Sequence, residues 1–231
     1  MTSLTGLNRR FAWGSWLVLL LALLLWCVTV LLADVSRWVP DGAIELAREQ
    51  YDEPAALRLQ QWRQQLQLLA TAEEQQQLKG VNQFFNDHIP FVSDQQHWRQ
   101  EDFWATPFES LATHGGDCED YVIAKYYSLV KLGVPTDKLR ITYVQALKLN
   151  QAHMVLAYFP TPDSVPWVLD NLTDVILPAS KRPDLAPVYS FNAEGMWLDK
   201  MKGRGVLMGN PNKLDRWTDL RVRMNQQGMD L

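Results

Sequence analysis

The chain has 231 residues and a formal net charge of −4, and hydrophobic residues make up 47% of it. About 200 residues remain once the N-terminal apolar segment is set aside, which is enough for one domain with a substantial core. No block of Lys and Arg stands out, so nucleic-acid binding is disfavoured, because phosphate contacts require clustered basic side chains. The two cysteines are too few to staple the fold with disulfides.

That apolar segment, residues 11–33, carries no charge and follows two arginines. Its length suits a membrane-spanning helix, since the apolar core of a bilayer needs about 20 helical residues. A cleaved signal peptide is the alternative, although its apolar region is usually ~7–15 residues and ends in a small-x-small site, which is missing here. On either interpretation the rest of the chain is exported, because the arginines stay on the cytoplasmic side of the membrane. We therefore expect a membrane anchor or signal at residues 1–33 and one periplasmic domain at residues 34–231.

The first half of the exported domain carries helical patterns. Apolar residues recur at spacings of three and four, Thr71 and Glu74 resemble a capping box, and prolines or glycines mark the helix ends. The predicted helices cover residues 40–54 (a short polar helix or linker), 55–70, 72–86, 107–112 and a central helix from near Cys118 to Leu132.

After the central helix the apolar period changes to two, which is typical of strands. The predicted strands are residues 140–147, 152–159 and 166–172, with one or two more within 188–197. The connections between them are short enough for antiparallel neighbours. We expect a loop at residues 178–190 and surface structure at residues 199–231. Helices followed by a run of strands indicate an α+β fold.

Cys118 lies at the start of the central helix, directly after two glycines and Asp117. The first backbone N–H groups of a helix are unpaired and its dipole is positive there, so a thiolate is stabilised at this position. The thiolate is the nucleophilic form of cysteine. A free thiol in an oxidising compartment needs a reason, and either catalysis or complete burial supplies one. We take Cys118 as a candidate nucleophile.

A cysteine nucleophile needs a general base, and histidine is the usual one at neutral pH. Three histidines lie in loops or at helix ends: His88, His97 and His114. His153 instead opens an apolar strand, and Asp170 lies in another, where a carboxylate is costly unless it is paired. If the two strands are neighbours, Asp170 orients His153 toward Cys118 in the manner of a catalytic triad. A core histidine and a turn-forming aspartate remain the alternatives.

Three carboxylates surround the candidate nucleophile: Asp117, Glu119 and Asp120. Acidic residues are ordinary in the first turn of a helix, and Asp117 suits an N-cap. However, they also raise the pKa of a neighbouring thiol by like-charge repulsion. A bound hard cation would remove this conflict, and Ca²⁺ prefers carboxylate oxygens. The sequence therefore suggests a cation site beside Cys118, without any EF-hand pattern.

These motifs together resemble the bacterial transglutaminase-like cysteine proteinases. The matching segments are Trp104–Pro107, Gly116–Tyr121, Ala124–Tyr126, Gln151–Leu156, Leu169–Leu172 and Pro187–Asn192. The resemblance implies a papain/transglutaminase-like core, with the cysteine on a central helix packed against an antiparallel sheet that carries the histidine and the aspartate. It covers most of the exported part in the right order.

The resemblance also implies roles for individual residues. Cys118 would be the nucleophile, His153 the base and later the acid, and Asp170 the orienting carboxylate, while Asp117 and Glu119 would bind calcium with Asp120 as a third candidate ligand. Such proteins cleave a large surface adhesin after a di-alanine, which promotes biofilm dispersal, and an inner-membrane receptor for cyclic di-GMP sequesters them. Two alternatives stay open: a transglutaminase or amidase acting on cell-wall peptide, and a membrane-anchored binding module with a vestigial triad.

Overall fold

The computed structural model describes residues 36–198, 206–211 and 214–230. The apolar segment that we interpret as an anchor or signal, residues 11–33, lies outside them. Within the described ranges, every helix is too short or too polar to cross a bilayer.

Seven α-helices are described, six of them before the sheet and one after it. They are α1 Asp41–Gln50, α2 Glu53–Leu69, α3 Glu74–His88, α4 Asp94–His97, α5 Pro107–Thr113, α6 Cys118–Lys131 and α7 Asp215–Gln226. The five predicted helices are confirmed with small shifts at their ends. The predicted capping box at Thr71 is wrong, because α3 starts after Glu73, and no side chain caps it.

A seven-stranded antiparallel sheet follows α6, as the α+β prediction requires. Its strands are β1 Leu139–Ala146, β2 Gln151–Tyr158, β3 Trp167–Leu169, β4 Leu177–Pro178, β5 Leu185–Phe191, β6 Met196–Leu198 and β7 Val206–Gly209, in the order β4-β3-β2-β1-β5-β6-β7. The loop predicted at residues 178–190 is partly wrong, because β5 pairs with β1. Pro187 lies where the β1–β5 register shifts, a position that tolerates its missing N–H.

Helix α6 lies at the centre of the core, and every residue from Glu119 to Leu129 is buried. A helix that is enclosed on all sides has no solvent face to mark in its sequence. Along β2, Met154 and Leu156 belong to the main core with α6, whereas Val155 belongs to a small cluster on the opposite face. This alternation follows from the two-residue period of a strand.

We had expected the C-terminal segment to be surface structure, but part of it is buried. Helix α7 buries Trp217, Leu220 and Met224 on one stripe with spacings of three and four. The surrounding charged residues obscure this stripe in the sequence. From the same helix, Arg223 Nη2 donates to the Trp104 carbonyl at 2.6 Å, and its guanidinium lies 4.4 Å from the centre of the Phe103 ring. Helix α7 therefore fixes the segment that leads into the candidate active site.

Candidate active site

Cys118 is the first residue of α6, and the backbone before it is packed tightly. A Cβ atom on Gly115 would lie 2.7 Å from the His97 ring, and one on Gly116 would lie 2.7 Å from Asp120 Oδ2. In this stretch, between α5 and α6, the residue with a left-handed backbone is His114, at φ 56°. The two glycines are therefore required for close approach rather than for an unusual backbone angle.

The thiol of Cys118 is partly buried and engages two groups. Within the described residues, Sγ donates to Glu119 Oε2 at 3.0 Å rather than to the imidazole of His153, and it accepts a hydrogen bond from the Met154 N–H group. Burial, followed by the charges of Glu119 and Asp117, raises the pKa of the thiol well above its ordinary value, and the Met154 bond only partly opposes this. The protonated thiol is therefore favoured while these carboxylates are unneutralised.

His153 and Asp170 form a buried hydrogen-bonded pair, with 2.8 Å between Nε2 and Oδ1. The pairing of β2 with β3 brings them together, as Leu156 lies opposite Leu169. Strand β3 is shorter than predicted and ends one residue before Asp170, so the carboxylate stands at the strand end. Since Nε2 faces the carboxylate, Nδ1 remains available for proton exchange with a nucleophile.

Arg182 is a functional candidate that the sequence did not reveal. Its Nη2 atom donates to Asp170 Oδ2 at 2.7 Å and to Asp184 Oδ2 at 2.8 Å, and the side chain is 7% exposed. Burial opposes ionisation of Asp170, but the bonds and charges of His153, the Leu172 N–H group and Arg182 outweigh it and bring the pKa of Asp170 to about 2. The candidate orienting carboxylate is therefore charged at neutral pH.

Five acidic side chains gather beside the thiol: Asp94, Asp102, Asp117, Glu119 and Asp120. Carboxylate oxygens of Asp94, Asp117 and Asp120 lie within 4.8 Å of one another, and so do those of Asp94, Asp102 and Glu119. The sequence predicted Asp117, Glu119 and Asp120, and the structure adds two from the preceding aromatic segment. Only the tertiary fold brings these two residues into the cluster, since nothing in their local sequence distinguishes them from surface acids.

The cluster has the donors and the electrostatics that a hard cation requires. The Oδ1 atoms of Asp94 and Asp117 are buried and lack a hydrogen-bond partner among the described residues. Burial and neighbouring charges raise the pKa of Asp94 to about 6 and that of Glu119 to about 10. Asp120 accepts backbone N–H groups from Ala105 at 2.7 Å and Asp117 at 3.1 Å, so it also shapes the start of the helix. The residues present therefore fit a bound Ca²⁺ ion.

The three remaining histidines take up structural positions. His88 Nδ1 bonds to the Phe84 carbonyl at 2.8 Å, and His97 Nε2 bonds to Thr113 Oγ1 at 2.7 Å. His114 ends α5 in a left-handed conformation. These contacts leave His153 as the histidine with a carboxylate orienter.

A thiol at the start of a central helix, beside an antiparallel sheet that carries a histidine–carboxylate pair, defines a cysteine hydrolase with a transglutaminase-like core. The family described as bacterial transglutaminase-like cysteine proteinase matches residues 40–194. The chain belongs to that family and is a cysteine protease.

Solved structures of LapG from Legionella pneumophila are similar to this chain. The EGTA-treated form shares 44% sequence identity with this chain. The match covers 79% of this chain and 95% of the LapG chain, with a TM-score of 0.71. Another structure of the same protein also shares 44% identity, with the same coverage and a TM-score of 0.69. The calcium-bound form shares 45% identity, covers 78% of this chain and 97% of its own, and has a TM-score of 0.68. No curated protein matches the chain.

Proposed function

We propose that this chain is a calcium-dependent periplasmic endopeptidase that uses Cys118 as nucleophile, His153 as base and Asp170 as orienting carboxylate. The observation that carries the proposal is the buried 2.8 Å hydrogen bond between the histidine and the aspartate, beside a helix that starts at the cysteine. The proposed calcium dependence is supported by the solved structures of LapG, one of which is calcium-bound and another EGTA-treated.

Calcium would be held by Asp117 and Glu119 together with Asp94, Asp102 and Asp120. Bound calcium supplies positive charge that neutralises this cluster. Glu119 and Asp117 are the two carboxylates whose charges raise the pKa of the Cys118 thiol. Their engagement in a metal site would therefore lower that pKa and free the thiol from its bond with Glu119.

The positions of the three residues support the following reaction. His153 Nδ1 takes the thiol proton, and Cys118 Sγ attacks the scissile carbonyl carbon of the substrate. The negative charge on the carbonyl oxygen is stabilised by the backbone N–H group of Cys118. The imidazolium then gives its proton to the leaving amine, a thioester forms, and water hydrolyses it with His153 as base. Asp170 keeps the ring in one tautomer throughout.

For the substrate we propose the N-terminal region of a large surface adhesin, cut after a di-alanine so that the adhesin is released and the biofilm disperses. The family resemblance and the likeness to LapG support this choice. The same argument supports a partner, an inner-membrane receptor that binds cyclic di-GMP and sequesters the protease. An uncleaved anchor at residues 11–33 would hold the enzyme at the periplasmic face of the inner membrane.

The test incubates the full-length chain with the N-terminal region of a candidate adhesin, in calcium and in EGTA, beside a Cys118→Ala variant. We expect cleavage after the di-alanine by the wild type in calcium alone. Cleavage by Cys118→Ala would overturn the mechanism, and unchanged cleavage in EGTA would overturn the calcium requirement. Undiminished cleavage when the di-alanine is replaced by bulky residues would overturn the proposed specificity.

The same incubation separates the alternatives. A transglutaminase would incorporate a fluorescent primary amine into the acceptor peptide, whereas the proposed protease yields only hydrolysed product. A binding module with a vestigial triad would show a Cys118 thiol that iodoacetamide alkylates slowly, with a pKa no lower in calcium than the ordinary ~8.5.

A further inference from the structure

A lysine is completely buried inside the helix that carries the nucleophile. Lys125 lies two turns after Cys118 on α6, and its exposed fraction is 0%. Lysine is almost never fully buried unless its ammonium group is paired. Here its hydrogen bond goes to a neutral partner, Asn86 Oδ1 on α3, at 2.7 Å, and the Tyr121 ring lies 5.7 Å from Nζ. The reason for burying this charge therefore lies beyond a simple ion pair.

We propose that Lys125 and Asn86 are positioning residues for the triad: the ammonium group orients the Asn86 amide, and the amide fixes the backbone of Asp170. An ammonium group can only donate hydrogen bonds, so in its charged form Lys125 holds the amide oxygen and turns the amide nitrogen the other way. Asn86 Nδ2 then donates to the Asp170 carbonyl at 3.0 Å and to Asp174 Oδ1 at 2.8 Å. This inference rests on the triad proposed above.

The backbone of Asp170 needs such support because the sheet does not supply it. The pairing of β3 with β2 ends at Leu169, opposite Leu156. The chain then leaves the sheet, and α3 holds it through Asn86 and through Asn82, whose Nδ2 atom donates to the Asp174 carbonyl at 3.2 Å. Lys125 links α3 to α6, so one buried network joins the helix of the nucleophile to the loop of the orienting carboxylate.

Stability alone does not account for the lysine. Burial lowers the pKa of Lys125 to about 7, against the opposing charges of Asp170 and Asp174. The cost of desolvating the ammonium group is therefore only partly offset. A methionine would fill the same space without that cost, so packing alone does not explain the buried charge. The pairing with Asn86 supplies the function, because a displacement of a reacting group by 1 Å is enough to slow catalysis strongly.

The first test compares the full-length Lys125→Met variant with the wild type in calcium. The measurements are kcat and KM for a fluorogenic di-alanine peptide amide, the rate of iodoacetamide alkylation at Cys118 resolved by peptide mass spectrometry, and the melting temperature. We expect kcat and the alkylation rate to fall about 10-fold, with KM changed by less than about 2-fold. The melting temperature should not fall in step with kcat.

Asn86→Ala keeps the test decisive if Lys125→Met does not fold, since Asn86 is only partly buried. It removes the donor to Asp170 and should reproduce the loss in kcat. The double variant should be no slower than either single variant, because both act through one network. Lys131→Met is the matched control: Lys131 lies on the same helix, pairs with exposed Asp230 and lies over the Tyr127 ring, and we expect no change.

A kcat within about 2-fold of the wild type in Lys125→Met or Asn86→Ala would overturn the inference, as would a loss that only matches the unfolded fraction. Strictly additive losses in the double variant would overturn it too. The proposed nucleophile fails separately, if Cys118→Ala retains hydrolysis.

Discussion

The carboxylates on the two sides of the candidate catalytic residues differ in how their charge is balanced. On the base side, Asp170 is bonded by His153 and by the guanidinium of Arg182, and its pKa is about 2. On the nucleophile side, Asp94 and Glu119 lie among other carboxylates, and their pKa values rise to about 6 and about 10. The first group contains a buried guanidinium, whereas the cation paired in the second is the exposed Arg216, which lies 3.0 Å from Asp102 at the edge of the cluster.

The His153–Asp170 pair, which we call the permanent side, is charge-balanced without a metal. The carboxylate cluster beside Cys118, which we call the conditional side, is proposed to need one. Asp170 is charged at any physiological pH, so under the proposed triad it orients His153 whether or not a metal is present. The thiol of Cys118 lies beside the other group, where burial and then the neighbouring carboxylates raise its pKa. Under the proposed calcium requirement, the metal therefore controls the nucleophile and leaves the base in place.

Asp170→Asn should break the permanent side and have the largest effect. The asparagine no longer stabilises the imidazolium and can hold the ring in the wrong tautomer, so we expect kcat to fall roughly 10³-fold. Steady-state hydrolysis of a di-alanine peptide measures this. Asp184→Asn is the control, since Asp184 shares Arg182 but does not contact His153. A loss below about 10-fold for Asp170→Asn would contradict the role of this carboxylate.

Asp94→Asn should weaken calcium binding on the conditional side, which is a smaller effect than that of Asp170→Asn. The substitution removes a charge from a cluster in which Asp94 Oδ1 lacks a partner among the described residues, so we expect Ca²⁺ to bind about 10–100-fold more weakly. Isothermal titration of the chelator-stripped chain measures the dissociation constant. Glu101→Gln removes an exposed charge from the same segment and should leave the affinity unchanged. Equal affinities for wild type and Asp94→Asn would exclude Asp94 as a ligand.

The sequence predicted the parts of the site that local spacing controls. The glycine pair before a buried helix located Cys118, and strand periodicity placed His153 and Asp170 on predicted neighbours. In each case the pattern lies within about 15 residues, and the short connections left little choice of pairing.

The parts that the sequence missed depend on tertiary contacts. Arg182 lies in a proline-containing loop and Asp94 in an irregular aromatic segment, and both resemble surface charges until the fold buries them. Strand β5 begins inside a proline-rich run because β1 imposes its conformation. Trp217 and its buried neighbours on α7 form a stripe too narrow to stand out among charged residues.

Arg182→Met should weaken the support of Asp170 on the permanent side while leaving its hydrogen bond with His153 in place. We expect kcat to fall about 10-fold, because Asp170 keeps His153 but loses its second anchor. Asp170 has a folded pKa of about 2 against an ordinary 3.8, so it stabilises the fold above pH 3.8, and this contribution is lost as the pH falls toward 2. In the variant the pKa of Asp170 should be lowered less, so the midpoint of acid unfolding should move to higher pH. Tryptophan fluorescence measures that midpoint. Arg48→Met, in an exposed pair, is the control, and equal midpoints would contradict the coupling.

The smallest expected effect is a pH dependence of stability that appears only without calcium. The pKa of Glu119 rises from 4.5 to about 10, so the folded chain binds a proton that the unfolded chain releases. A raised pKa stabilises the fold at low pH, and that contribution is lost as the pH rises from 4.5 toward 10. In EGTA the melting temperature should therefore fall across this range, whereas in calcium it should change less. If the melting temperature had the same pH dependence in EGTA and in calcium, the charge of the carboxylate cluster would be balanced by groups of the chain itself, as it is for Asp170. The cluster would then not differ from Asp170 in needing a metal.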